Sequence, residues 1–286
     1  MREQVDAAAR EERVRGQGGV ELLVRHWPAR GTARAVVAIV HGFNSHGGHY
    51  LWAAPRLAAE GLAVYAVDLR GRGKSGGARF RVGQVEEYEG DVATLLGLVR
   101  TREGRRPVFL LGHSAGGVVA SLYALDHGTE LAGLICESFA FRVPAPALAL
   151  AVVKGLGAVA PGLKVLKLPN RHFSRDPAVV AAMDADPLIA GEVQPAGTVA
   201  AMLRGTARLE RGFPRITLPV FILHGSGDKV TVPAGSRQFH AEAGSADKTL
   251  KMYEGHAHDL LNDLGREQVL GDIAAWIRAR LPAAPA

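Results

Sequence analysis

Short runs of Val, Ile and Leu recur along the chain, each bounded by Gly, Asp or His and each separated from the next by a helix-length stretch. Runs this apolar suit strands buried on both faces, and parallel strands need long crossovers, so the rhythm predicts a parallel sheet covered by helices on both sides. The expected strands are 36–40, 63–67, 108–111, 131–136, 220–223 and 249–253, with 20–27 alternating well enough for an edge strand. Helices are expected at 50–60, 85–100, 116–127, 234–243 and 266–280. The rhythm fails across 138–209, where Ala, Leu, Val and Gly dominate and prolines such as Pro144, Pro161, Pro177 and Pro195 punctuate short helical stretches. The expected architecture is therefore a doubly wound, mostly parallel α/β core, 1–137 and 210–286, with a helical lid inserted at 138–209.

Composition narrows the function classes. With 286 residues, 48% of them hydrophobic and 22% charged, the chain can bury a full core. Its formal charge of +6 comes from 34 Lys and Arg scattered among 28 acids, which predicts a solvated surface rather than a nucleic-acid footprint. The excess leaves room for a weak, salt-sensitive contact with an anionic lipid surface. The single Cys136 excludes an internal disulfide and sits in an apolar run, as a buried structural thiol does. The N-terminal stretch 1–15 is dense in Arg and Glu and resembles neither a secretion signal nor an anchor. Apolar stretch 145–165 is interrupted by Lys154, glycines and Pro161, too broken for a membrane span. A soluble cytoplasmic protein is the expectation.

The chemistry centres on Gly112-His113-Ser114-Ala115-Gly116, which follows an apolar run and precedes a helix-like stretch. A serine on a tight strand-to-helix turn needs small residues two positions either side, and Gly112 and Gly116 supply them. Such a turn lifts Oγ clear of the sheet and sets the Ala115 N–H at a helix start, where it can stabilise an oxyanion. A second donor should come from the loop after strand 36–40, in His41-Gly42-Phe43-Asn44, and the Phe43 N–H is the candidate. Serine needs a base, and the base needs a carboxylate to orient it, both downstream at later strand ends. Asp228, in His224-Gly225-Ser226-Gly227-Asp228, meets the acid requirement, and Glu137 at the end of strand 131–136 is its rival. The base lies in Tyr253-Glu254-Gly255-His256-Ala257-His258-Asp259, where spacing alone does not separate His256 from His258. Zinc at this cluster would need further ligands elsewhere, so no metal and no cofactor is expected.

These residues, with 41–50, 68–75, 112–117 and 253–263, resemble the monoacylglycerol lipase-like branch of the α/β-hydrolases, the serine aminopeptidase S33-like group. Ser174-Arg175-Asp176-Pro177 and Asp186-Pro187-Leu188 look like the same branch. The resemblance implies the α/β-hydrolase fold, His258 rather than His256 as base, Phe43 and Ala115 as oxyanion donors, and a lid over an acyl tunnel. His256, Arg72 and Phe43 depart from the branch's usual small residue, His and smaller side chain, which bears on the shape of the alcohol-side pocket. The implied activity is cleavage of a small-molecule carboxylic ester through an acyl-enzyme. Expected substrate-binding positions are His113, Leu148 and Val152, the last two in an apolar lid stretch that reads equally as a pocket wall or as a small helical core. Small or aromatic esters, lysophospholipids, acyl transfer and a catalytically silent scaffold are the alternatives.

Overall fold

In the computed structural model, which describes residues 9–281, the apolar runs pair side by side. The strands are β1 (Arg10–Arg15), β2 (Glu21–Trp27), β3 (Ala35–Val40), β4 (Leu62–Val67), β5 (Val108–His113), β6 (Gly133–Glu137), β7 (Lys164–Leu166), β8 (Gln194–Pro195), β9 (Val220–Gly225) and β10 (Lys248–Tyr253). Eight of them form one sheet in the order β1-β2-β4-β3-β5-β6-β9-β10, and β7 and β8 form a separate ribbon. From β4 to β10 the neighbours are parallel, whereas β2 meets both β1 and β4 antiparallel. The helices are α1 (Ala53–Ala59), α2 (Val85–Glu103), α3 (Ala115–His127), α4 (Ala147–Val159), α5 (Pro177–Ala185), α6 (Ala196–Gly212), α7 (Pro233–Glu242) and α8 (Arg266–Arg278).

Period-two alternation along β3 explains the two cores. Val36, Ala38 and Val40 pack on one face with Val92, Leu95, Val118 and Leu122 of α2 and α3. Val37 and Ile39 pack on the other with Leu57 of α1 and Ile273 and Ile277 of α8. Strand 20–27 is not the edge, because β1 pairs outside it. The sequence Arg-Glu-Glu-Arg-Val-Arg offers one apolar residue, Val14, to the core, and the strand is held by its backbone ladder to β2, with ion pairs alongside. Arg13 bonds Glu21 at 2.5 Å, Arg25 lies 3.0 Å from Glu11, and Lys74 lies 2.8 Å from Glu11. The first eight residues of the Arg- and Glu-rich N-terminal stretch lie outside the described residues.

The crossover between β6 and β9 carries α4, β7, α5, β8 and α6, and α6 runs unbroken past position 209 to Gly212. Met202 and Leu209 of α6 join the same core as Leu122 and Leu125, so α3 is covered on its outer side as well as by the sheet. Among the described residues, no helix is long and apolar enough to cross a membrane.

After β3 the chain turns to β4 on one side and then returns to β5 on the other. A crevice opens where strand order reverses, beyond the carboxyl ends of β3 and β5, and ligands of open α/β sheets bind there. The loop at 41–46 and the turn at Ser114 both leave from this point. A methyl group on Gly116 would fall 2.2 Å from the Val40 carbonyl oxygen and 2.4 Å from that of His41. Backbone cannot yield as a flexible side chain does, so Gly116→Ala should cost about 3 kcal/mol of stability in urea unfolding. A loss below about 0.5 kcal/mol, the range of an ordinary surface change, would contradict this packing.

Candidate active site

Ser114 occupies the turn between β5 and α3 with φ 55° and ψ −120°, a region that side chains other than glycine rarely adopt. Its own bonds hold it there: Ser114 N–H donates to the Glu137 carbonyl at 2.8 Å, and Gly117 N–H donates to the Ser114 carbonyl at 3.0 Å. Close approach on both sides requires glycine. A Cβ at Gly112 would lie 2.5 Å from the Gly116 carbonyl oxygen, and one at Gly42 would lie 2.8 Å from Ser114 Cβ and 3.4 Å from Ala115 N. Gly42 thus rests against the turn, bringing the loop that carries Phe43 beside the first amide of α3. That amide belongs to Ala115, and it has no preceding helical turn to accept its hydrogen.

Asp228 follows β9 and His258 follows β10, and the two meet: His258 Nδ1 lies 2.8 Å from Asp228 Oδ2. Both side chains are fully buried. A buried carboxylate needs donors, and Asp228 has several. Its Oδ1 accepts from Val230 N–H at 2.7 Å and Thr231 N–H at 3.0 Å, and its Oδ2 accepts from Thr231 Oγ1 at 2.6 Å. His224 Nε2 stands 3.1 Å from the same Oδ2. Burial pushes the Asp228 carboxyl up, but His258, His224 and Thr231 outweigh it and hold the group well below the usual carboxylate range. An ionised acceptor on Nδ1 fixes the proton there, leaving the Nε2 lone pair free to take another. His258 Nε2 is buried and has no hydrogen-bond partner, Ser114 included. Ser114 itself is 4% exposed.

The competing residues are placed elsewhere. His256 lies against Tyr253, with Nδ1 3.8 Å from Asp263 and no contact with Asp228. Glu137 is fully buried and accepts from Leu261 N–H at 3.0 Å. Burial and the nearby Asp259 push its carboxyl well above the usual range, which suits a neutral acid rather than a partner for an imidazolium. His113, expected against substrate, is 1% exposed and packs on the His258 ring with centroids 4.8 Å apart. Leu148 and Val152, expected in a pocket wall, are 77% and 54% exposed on α4, a helix with no buried residue. Cys136 is buried beside Ser121, and burial pushes its thiol up to about 12.

Two cavities flank this centre, of about 590 Å³ and about 780 Å³. The first is lined by Asn44, Leu168, Met183, Ile189 and Glu192, the second by Val180, Lys229 and Ala257 among others. Neither is lined by Ser114 or His258. Thr231 and His224 were not singled out from sequence. Asp228 and Val230 have the spacing of an Asx-type turn, which could have pointed to the next residue, Thr231, as a further donor; no local pattern marks His224 as its neighbour.

A mostly parallel sheet with a strained serine after a central strand, and with a carboxylate-bound imidazole offered by its last loops, defines the α/β-hydrolase class. The family model described as serine aminopeptidase, S33, matches residues 31–265, and the chain belongs to that family. Monoacylglycerol lipase of Mycolicibacterium smegmatis is 34% identical over 280 residues, covering 97% of this chain and 100% of that protein. Monoglyceride lipase of Mus musculus is 32% identical, covering 94% of this chain and 90% of that protein. The crystal structure of Paleococcus ferrophilus monoacylglycerol lipase superposes with a TM-score of 0.82 at 29% identity, covering 91% of this chain and 99% of that one. These similarities place the chain among the carboxylic ester hydrolases, in the monoacylglycerol lipase-like branch.

Burial holds His113 down to about 4, so it is neutral in the folded protein over the range in which an unfolded histidine, near 6.5, takes up a proton. The stability carried by the neutral ring is present above that unfolded value and drains as pH falls towards the folded one. His113→Gln should therefore lose about 2 kcal/mol less stability than the parent between pH 7 and pH 5, measured by urea unfolding at each pH. Equal losses in the two proteins would contradict it.

Proposed function

We propose that this protein hydrolyses hydrophobic carboxylic esters, monoacylglycerols foremost, with Ser114 as nucleophile, His258 as general base and Asp228 as the orienting acid. The observation that carries the reading is the His258 imidazole, bonded through Nδ1 to a buried carboxylate, unpartnered at Nε2, and packed on the ring of His113, the residue before the serine on its strained turn. His258 Nε2 takes the Ser114 hydroxyl proton as Oγ attacks the ester carbonyl. The tetrahedral oxyanion is held by the Phe43 and Ala115 N–H groups. Collapse expels the alcohol, which receives the proton from His258. Water, deprotonated by the same imidazole, then releases the acid and restores Ser114. The ester is a small-molecule substrate, and the names borne by the relatives support an acylglycerol as its class.

Residues 138–209 act as the lid in this proposal. The nucleophile and base are almost wholly covered, so an ester reaches them only when the insertion moves. The exposed Leu148, Val152 and Val159 of α4 form an apolar face that meets a lipid surface transiently during substrate uptake. Cytoplasmic residence fits a fold whose single thiol is buried and unreactive.

A second reading has its own support. Leu148 and Val152 lie on the outside of α4 and wall no acyl tunnel, which favours short or aromatic esters as the substrates. A chain-length series of p-nitrophenyl esters separates the two. Rising kcat/KM from acetate towards medium and long chains is expected; an optimum at acetate with no longer-chain activity overturns the acylglycerol reading. Ser114→Ala should lower kcat by roughly four to six orders of magnitude, and His258→Ala by a similar factor, with His256→Ala far milder. Most activity surviving Ser114→Ala, or equal losses at the two histidines, would contradict the assignment.

A further inference from the structure

The loop after β3 is tied to the insertion as firmly as to the sheet from which it leaves. Asn44 adopts φ 51°, and its N–H donates to Glu192 Oε1 at 2.9 Å. Its side-chain amide donates to the Leu168 carbonyl at 3.0 Å and to Asn170 Oδ1 at 2.9 Å. His46 Nδ1 accepts from Gly48 N–H at 3.0 Å, so Nε2 carries the proton that it donates to Asp186 Oδ2 at 2.8 Å. His49 Nε2 lies 3.2 Å from the same oxygen.

Glu192 is the centre of this junction. It is 3% exposed and paired with Arg72, which is 1% exposed. Arg72 also donates to Gln194 Oε1 at 2.8 Å and to the Tyr88 hydroxyl at 3.1 Å, and its guanidinium sits 4.3 Å from the centre of the Phe43 ring. Glu192 Oε1 further accepts from Gln194 Nε2 at 2.6 Å, whereas Oε2 is buried without a partner. A buried ion pair with an unsatisfied oxygen adds little stability and costs desolvation, so its benefit is better sought in geometry. The single carboxylate oxygen that grips the loop reaches it from the insertion.

We infer that Glu192 is a positioning residue which, with Arg72, fixes the loop bearing the Phe43 N–H, so that the oxyanion hole is complete only while the insertion is docked. The inference rests on the reading of Phe43 as an oxyanion donor given above. Opening of the insertion to admit substrate would withdraw Glu192, Asn170 and Asp186 together from positions 44–49. The hole would then reform on closure, confining transition-state stabilisation to the closed, water-excluding state. An undocked insertion leaves Asn44 N–H without its acceptor and Arg72, which lies on the Phe43 ring, without its paired carboxylate.

The test compares Glu192→Gln with Glu192→Ala in the full chain, reading kcat and KM on a p-nitrophenyl ester per site titrated with a fluorophosphonate. Gln keeps an acceptor for Asn44 N–H and should stay within about fivefold of the parent in kcat. Ala should lower kcat by about 20- to 100-fold with KM changed less than about threefold, somewhat short of the loss of a whole oxyanion donor. Should Ala fail to fold because Arg72 is left as an unpaired buried charge, the double variant Arg72→Leu with Glu192→Leu removes both charges and is read by the same criterion. A kcat per site within threefold of the parent in Ala or the double variant, or a loss confined to KM, would overturn the inference. Parent protein that the fluorophosphonate does not label would instead sink the proposed function, so the two failures are distinguishable.

Discussion

Everything at the centre of this molecule depends on one strained turn. Ser114 is held in the left-handed half of backbone space because β5 and α3 approach so closely that only glycine fits at 112 and 116, and because Gly42 closes the third side. The cost of such a conformation, of order 1–3 kcal/mol, is met by the surrounding contacts: fully buried strands on both sides and a helix buried between the sheet and α6. Strain of this kind persists only where the surroundings over-determine it. What it yields is a serine at the mouth of the sheet with a helix amide next to it.

The electrostatics follow from depth. Asp228 and His258 are both removed from water, so the carboxylate would be neutral unless other groups stabilised its charge. Two backbone amides, a threonine hydroxyl and two imidazoles do so. Glu137, equally buried but supported on one oxygen by Leu261 and crowded by Asp259, is driven the other way. Two equally buried carboxyls thereby take different protonation states, and the ionised one is the one bonded to His258.

Much of this was legible in the sequence because it is local. The apolar strand runs, the glycines around Ser114, and the position of Asp228 and His258 after late strands are patterns within a few residues, and the sheet order puts their ends together. The strand at 10–15 escaped because it pairs with β2 through its backbone while its side chains are charged except for Val14, leaving no run of apolar residues to mark it. The outward placement of Leu148 and Val152 escaped because hydrophobicity alone does not say which face of a helix is covered. Spacing could not choose between two histidines two positions apart in the motif; the resemblance favoured His258, and the fold puts that ring, not His256, on Asp228. Least legible was the junction at Glu192, whose partners Arg72 and Asn44 stand 120 and 148 positions away.

The central claim is that the hydroxyl at 114 is activated by the imidazole at 258. Mass-spectrometric mapping of the adduct left by a fluorophosphonate on the intact protein tests it most directly. A single adduct on the peptide containing Ser114, lost when His258 is replaced by alanine, is the predicted result. An adduct on another residue, or labelling at Ser114 that proceeds at an unchanged rate without His258, would contradict it.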